Sequence, residues 1–331
     1  MTHQYELPVT PRDVISSVRF SPHSDDPVLL ATSWDGTLSV YNAGSSPRLL
    51  SRVDSGSPLL CSAWSPHNAN MVFVAGLERQ VRAYDLEARS SLNVGGHDEP
   101  VSALVVHSMS GTVVSGSWDR TIRTHDPRSG VSGTFETPGK VFAMDMQGDI
   151  LVAALSGRAI CVYDVRNMGT PVQRRESSLK YMTRAVKCMP DGTGFTSSSV
   201  EGRIAVEFFD PSAAAQAKKY AFKCHRAPHG DTDLVYPVNA LAFHPRHGSF
   251  ISGGADGLVC FWDHKSRKRL KQYPKLAGAV QDVDISADGS RLAIACSGSA
   301  AVGAAETNDS ESRRIVVRAL APEEGRVKAQ A

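Results

Sequence analysis

A large ring-bearing residue directly before an acid or its amide recurs as a strand-closing pair at Tyr41-Asn42, Tyr84-Asp85, His125-Asp126, Tyr163-Asp164, Phe209-Asp210 and Trp262-Asp263. The spacings between these pairs are 43, 41, 38, 46 and 53 residues. A unit that returns at this period cannot bury its apolar face alone and must stack on copies of itself. Two further markers share the period. Tight polar turns recur as Trp34-Asp35-Gly36, Trp118-Asp119-Arg120, Glu201-Gly202 and Asp256-Gly257. Runs ending aromatic–polar–proline recur as Ser17–Pro22, Cys61–Pro66 and Ala240–Pro245, and proline ends a strand because it has no N–H for the ladder.

The stretch 96–128 shows what one unit is. Gly96-His97 leads into the alternating apolar run Val101-Ala103-Val105, the period-2 signature of a half-buried strand. A turn, a second strand Thr112–Ser115, the Ser117–Arg120 turn and a third strand Thr121–His125 follow. No piece has the length or period of a helix. Strands this short at this spacing are the blades of a WD-repeat propeller. A seventh unit opens at Val280–Ser286, so the fold expected is an all-β, seven-bladed WD-repeat β-propeller. One domain spans 1–320, with blades near 11–45, 56–88, 96–130, 138–168, 180–212, 234–266 and 276–320. The strand 5–9 is expected to join the last blade as its outer strand, because a ring that leaves its ends unpaired leaves sheet edges open. The Ala/Ser/Asp/Glu-rich stretch 300–314 reads as a mobile loop and 321–331 as a disordered tail.

Length alone suggests two domains for 331 residues, but the repeats override that prior. Lysine and arginine number 36 against 34 acids, so no global charge draws the chain to nucleic acid or membrane. The N-terminus lacks the basic-then-apolar pattern of a secretory signal. The six cysteines are dispersed without a CxxC pair, which argues against a disulfide framework or zinc site and for a reduced nuclear or cytoplasmic setting.

Catalysis finds no support. Gly116-Ser117 precedes a strand turn and not the helix a nucleophile elbow needs. His97 stands where a repeat histidine hydrogen-bonds the turn acid, here Asp119, and Asp35 and Asp256 are turn acids of the same kind. No glycine loop leads into a helix, and no cofactor or metal is expected. Recognition is the better reading. Asn167–Val186 and Ser212–Tyr236 break the repeat and are rich in Arg, Lys and aromatics, and loops on a rigid scaffold are where binding concentrates. Trp34 and Trp118 sit in polar turns, where an indole either packs between blades or stands at the surface as an anchor. Arginines beside them fit an acidic or phosphorylated peptide. RNA is the rival use of the same side chains, disfavoured by the balanced charge.

Longer strings carry a resemblance. Gln173–Tyr181 (QRRESSLKY), Asp164–Gly169 (DVRNMG), Val200–Asp210 (VEGRIAVEFFD), Lys219–Arg226 (KYAFKCHR) and Tyr236–Asn239 (YPVN) resemble the Bub-three family, the WD-repeat adaptors of the mitotic spindle checkpoint. The likeness runs over nearly the whole chain. The sister family, the Rae/Gle messenger-RNA export factors, shares the EGR and FKCHR-type strings, while RRESSLKY and the SWD turns resemble the checkpoint branch more. The resemblance implies a non-enzymatic, monomeric ring that binds the short GLEBS segment of Bub- and Mad-type checkpoint kinases or pseudokinases on its top face. It also implies docking on phosphorylated Met-Glu-Leu-Thr-like motifs of a kinetochore scaffold, association with ubiquitin-binding and anaphase-promoting-complex inhibitory assemblies, and no membrane or DNA contact. The setting implied is the nucleus, the kinetochore in mitosis, and the cytoplasm. Carried over by position, Arg203 matches the arginine that pairs with GLEBS glutamates and Trp34 the top-face tryptophan. Arg226 matches the arginine implicated in phosphothreonine contact. Arg184 and Tyr181 line the same groove, and Trp118 shares the face. Asn42 after Tyr41 and Leu77-Glu78 in the second turn depart from the pattern.

Overall fold

The computed structural model describes residues 4–23, 27–127, 130–299 and 313–326. These form seven four-stranded antiparallel sheets and one two-stranded hairpin, Arg226–His229 with Thr232–Val235. In blades one to six the four strands follow in chain order. Blade seven is built from both ends of the chain: Gln4–Glu6 lies antiparallel on Arg314–Ala319, with Tyr5 opposite Val317. The expected closure is therefore present. The inner strands touch one another in a closed cycle, the last against the first.

Blade borders drawn from the sequence stop one strand short. The outer strands Arg48–Asp54, Ser90–Gly96, Gly130–Glu136, Gln173–Glu176, Tyr220–Lys223 and Lys268–Gln272 lie beyond them. Two of these fall inside the segments that break the repeat. What reads as an excursion from Ser212 is a four-residue helix, Ala213–Gln216, capped by Ser212, then the outer strand of blade five, then the hairpin. Residues 321–326 also differ from the expectation of a disordered tail. They form a turn whose Glu324 is buried, accepting hydrogen bonds from Tyr273 Oη and Lys271 Nζ, each at 2.6 Å. The rest of that tail, 327–331, and nearly all of the 300–314 loop lie outside the described residues.

The core is a set of slabs between blades. Leu30, Leu38 and Val40 of blade one meet Leu59, Trp64, Val72 and Tyr84 of blade two. The closing slab packs Ile15, Val18 and Leu29 against Ala293, Ala295, Ile315 and Val317. Burial of each large side chain contributes about 1.5–3 kcal/mol, so every seam is stabilised by its neighbours.

All seven inner strands carry a bulge at the same place. Ser16, Leu60, Ser102, Phe142, Arg184, Asn239 and Gln281 are the residues skipped by the pairing register. A bulge turns one side chain out of the ladder, and seven of them at one level form a ring of side chains around the channel mouth.

Candidate functional site

That ring lines a cavity of about 400 Å³ at one end of the central channel. All seven bulged residues face it, joined by Trp34, Trp118 and Met182. Trp34 is 40% exposed although its turn is rigid. Its backbone N–H donates to Val14 O at 2.9 Å, and the following Asp35 accepts from the N–H groups of Arg12 and Thr37 at 2.7 and 2.9 Å. Trp118 is half-buried in the matching turn of blade three, with its N–H on Pro100 O. The rim thus sets an aromatic and apolar group, Trp34, Trp118, Leu60, Phe142 and Met182, among the polar Ser16, Ser102, Asn239 and Gln281. Of the three cations lining the cavity, Arg19 and Lys187 are paired with Asp282 and Asp145, and Arg184 meets no carboxylate. Its Nε donates to Asn239 Oδ1 at 3.3 Å, and desolvation alone holds its pKa below the usual guanidinium value, with no carboxylate offsetting it.

The remaining sequence-derived residues form a second group around Glu201. Gly202 carries this turn at φ +62°, and a Cβ there would come within 2.7 Å of Cys224 O, so Glu201 and Arg203 are held apart by a residue that must be glycine. Arg203 Nε lies 3.7 Å from Glu201 Oε2. Arg226, opening the hairpin, donates to Glu201 O at 2.8 Å and stands 3.9 Å from exposed Asp233. Glu201 Oε1 and Arg226 Nε are buried and have no hydrogen-bond partner, which is unusual enough to mark a place where a ligand group can bind. Tyr181, 58% exposed, does not line the cavity. It belongs to the loop connecting the two groups: Val200 N–H donates to Met182 O at 3.1 Å.

The structure therefore brings Trp34, Trp118 and Arg184 to one mouth and Arg203 with Arg226 to an adjoining turn. Sequence reading missed Asn239, Leu60, Phe142 and Met182. The signal was available in part, since each of the first three is the second residue of an inner strand, but only the register shows that this position bulges inward.

Two histidine clasps set the turns. His97 Nδ1 lies 2.8 Å from Asp119 Oδ2, as expected, and its Nε2 lies 2.7 Å from Ser115 Oγ, which in turn meets His125 Nε2 at 2.7 Å. Blade six repeats the device with His225, Asp256, Ser252 and Trp262, at 2.9, 2.8 and 2.8 Å. Serine, histidine and aspartate in this order resemble a nucleophilic triad. Here both hydroxyls are fully buried and each is shared with a further ring, so no substrate reaches them.

The family description "WD domain, G-beta repeat" matches residues 3–42, 89–126 and 222–263. The chain is 44% identical over 298 residues to the mitotic checkpoint protein BUB3.1 of Arabidopsis thaliana, covering 88% of this chain and 86% of that one. It is 41% identical to the spindle assembly checkpoint protein bub3 of Schizosaccharomyces pombe, covering 86% and 88%. Identity to the mRNA export factor GLE2 of Chaetomium thermophilum is 33%, covering 90% and 85%. Among solved structures, that of U3-55K superposes with a TM-score of 0.79 over 96% of this chain and 98% of that one, at 14% identity, a likeness of fold. Identity of this depth along the blades, together with the seven-bladed ring itself, makes the chain a member of the BUB3 family of WD-repeat proteins.

Proposed function

We propose that this chain is a non-enzymatic adaptor of the mitotic spindle checkpoint, which holds an acidic GLEBS segment of a Bub- or Mad-type protein across the channel mouth. It docks on phosphorylated Met-Glu-Leu-Thr-like motifs of the kinetochore scaffold through the arginines around Glu201. The observation that carries the reading is the pairing of an aromatic rim around Arg184 with an adjoining arginine pair gathered on Glu201, Arg203 near its carboxylate and Arg226 on its main-chain carbonyl. An aromatic anchor beside guanidinium forks is the usual composition of a binding hot spot. The ring is rigid, so little order is lost when a peptide lies on it. A phosphothreonine brings about −1.5 to −2 charges near neutral pH and three acceptor oxygens. Arg226, whose Nε has no partner, and Arg203, 3.7 Å from its carboxylate, can turn to those oxygens and form charge-assisted bonds. Phosphorylation by a mitotic kinase then switches recruitment, in the nucleus and at the kinetochore.

The second reading, an mRNA export factor that binds a nucleoporin GLEBS segment, is favoured by the 33% identity to GLE2. One titration separates the two. The purified chain is mixed with a Met-Glu-Leu-Thr peptide, phosphorylated or not, with and without a GLEBS peptide. Tighter binding of the phosphorylated form that is lost in Arg226→Ala supports the checkpoint reading. Binding to neither, with tight binding to a nucleoporin GLEBS segment, supports the export reading.

A further inference from the structure

The balanced net charge hides a local imbalance on the outer rim of blades five and six. From His264 to Gln281 the chain carries six lysines and arginines and no acid. The outer strand of blade six, Lys268–Gln272, is exposed at every residue. Its neighbour on blade five brings the exposed Lys218, Lys219 and Lys223. The two stretches are fastened together: Tyr220 Oη donates to His264 O at 2.9 Å, and Arg267 donates to Lys218 O at 3.3 Å with its guanidinium 4.6 Å above the Tyr220 ring. Among the described residues, none of Lys218, Lys219, Lys223, Lys265, Lys268 and Arg269 forms an ion pair, whereas Lys271 is held by Glu324. The nearby Asp263 is buried and occupied with the N–H of Lys265 and the hydroxyl of Ser266.

Other blades do not share this character. The outer strands of blades one, three, four and seven each contain an acid, namely Asp54, Glu136, Glu176 and Glu6, and that of blade two is uncharged. Lysines on an edge strand guard against pairing with like strands. Here they do so strongly, because a second copy would present the same cations. The same charges favour an opposite one. The edge also offers what point charges do not: a row of backbone groups with no strand beyond it, and a bulge at Leu270 that leaves this side chain 37% exposed.

We propose that the outer edge of blade six takes an acid-rich extended polypeptide segment as a fifth strand, with its carboxylates on the cations of blades five and six. Backbone pairing supplies affinity and the charges supply selection. A nucleic acid would meet the cations, but it has no amide ladder to complete and gains nothing from Leu270.

The test uses the full chain and a labelled Glu-Thr repeat peptide, its Gln-Thr counterpart, and an oligouridylate of equal charge, followed by fluorescence anisotropy at low and physiological salt. The Glu-Thr peptide should bind and the Gln-Thr peptide should not. The triple variant Lys265→Glu, Lys268→Glu, Arg269→Glu should lose at least about tenfold in affinity with its thermal unfolding unchanged. Arg184→Gln and Arg203→Glu should each bind this peptide as the parent does, which separates this edge from the channel mouth and from the turn around Glu201. Hydrogen exchange at the amides of Lys268–Gln272 should slow when the peptide is bound. Tighter binding of oligouridylate, binding to neither, indifference to the triple variant, or unprotected edge amides would each overturn the proposal.

Discussion

The guanidinium of Arg184 donates to Asn239 Oδ1 at 3.3 Å, and these two residues hold the same place in adjoining blades, each being the bulged residue of its inner strand. The contact joins two blades at the channel mouth without neutralising the charge. Glutamine at 184 can keep a hydrogen bond to Asn239 and remove the cation. Arg184→Gln should therefore shift unfolding by no more than about 0.5 kcal/mol while weakening binding of an acidic GLEBS peptide about tenfold or more. A urea titration and an anisotropy titration on the same sample check both halves.

The clasp of blade six should behave in the opposite way. His225 touches Asp256 at 2.9 Å and Ser252 at 2.8 Å, and all three are buried. His225→Ala removes one bond from each of two buried partners, leaving Ser252 with Trp262 and Asp256 with the Leu258 N–H, and a buried group left short costs about 1–3 kcal/mol. We expect a loss near 3 kcal/mol in urea unfolding. A loss below about 1 kcal/mol would mean that water replaces the ring without penalty.

How much of this was legible follows from what each residue signals locally. Tyr84-Asp85 and Trp262-Asp263 announce the third strand of a blade because an aromatic and a turn acid are both required there. The outer strands send no such signal: SSLNVGG at 90–96 and KRLKQ at 268–272 are largely exposed and so have no apolar alternation to read. His225 escaped notice because it follows Cys224 and not glycine, although it repeats the role of His97. The inward ring was illegible for a different reason. Ser16, Phe142 and Arg184 have nothing in common as residue types; a register shift shared by the inner strands puts them together.

Acid should loosen the ring before its carboxylates titrate. Burial pushes His125 down to about 4, helped by the charges of His97 and Arg123, and burial likewise pushes His244 down to about 4. His97 is also lowered, first by burial. Each ring takes up a proton more readily in the unfolded chain, near 6.5, than in the fold. Their contribution is thus complete above pH 6.5 and lost as pH falls toward about 4. Scanning calorimetry across that range should show a falling melting temperature, with a shallower slope in His244→Gln. An unchanged slope would assign the loss to other groups.

The thiols should be silent in the fold. All six cysteines are buried, and desolvation pushes Cys61 up to about 12 and Cys260 up to about 11. The thiolate is the reactive form, so a thiol reagent at mildly alkaline pH should label none of them in the native ring and all six in denaturant. Mass spectrometry after timed labelling reads this directly. A thiol that reacts at native conditions would reveal local opening of its blade.

The turn after Ala321 should carry stability out of proportion to its length. Glu324 accepts from Tyr273 Oη and Lys271 Nζ at 2.6 Å and from Ala321 N at 3.2 Å, while His247 Nε2 lies 2.9 Å from Pro322 O. A Cβ at the neighbouring Gly325 would come within 2.7 Å of the Phe261 ring, so the chain passes flat against blade six after leaving blade seven. The turn thus spans the last seam of the ring. Burial would raise the Glu324 carboxyl, but the bonds from Lys271 and Tyr273 outweigh it and hold it below its ordinary 4.5. This contribution is present above pH 4.5 and is lost as acid protonates the folded state. Glu324→Ala should therefore cost about 2–3 kcal/mol at neutral pH, because the buried Tyr273 Oη loses the acceptor for its proton. The difference from the parent should shrink as pH falls below 4.5. Glu324→Gln retains an acceptor and should cost less than the alanine variant, with little pH dependence of its own. Equal unfolding curves for parent and Glu324→Ala at neutral pH would show that the seam closes without the turn.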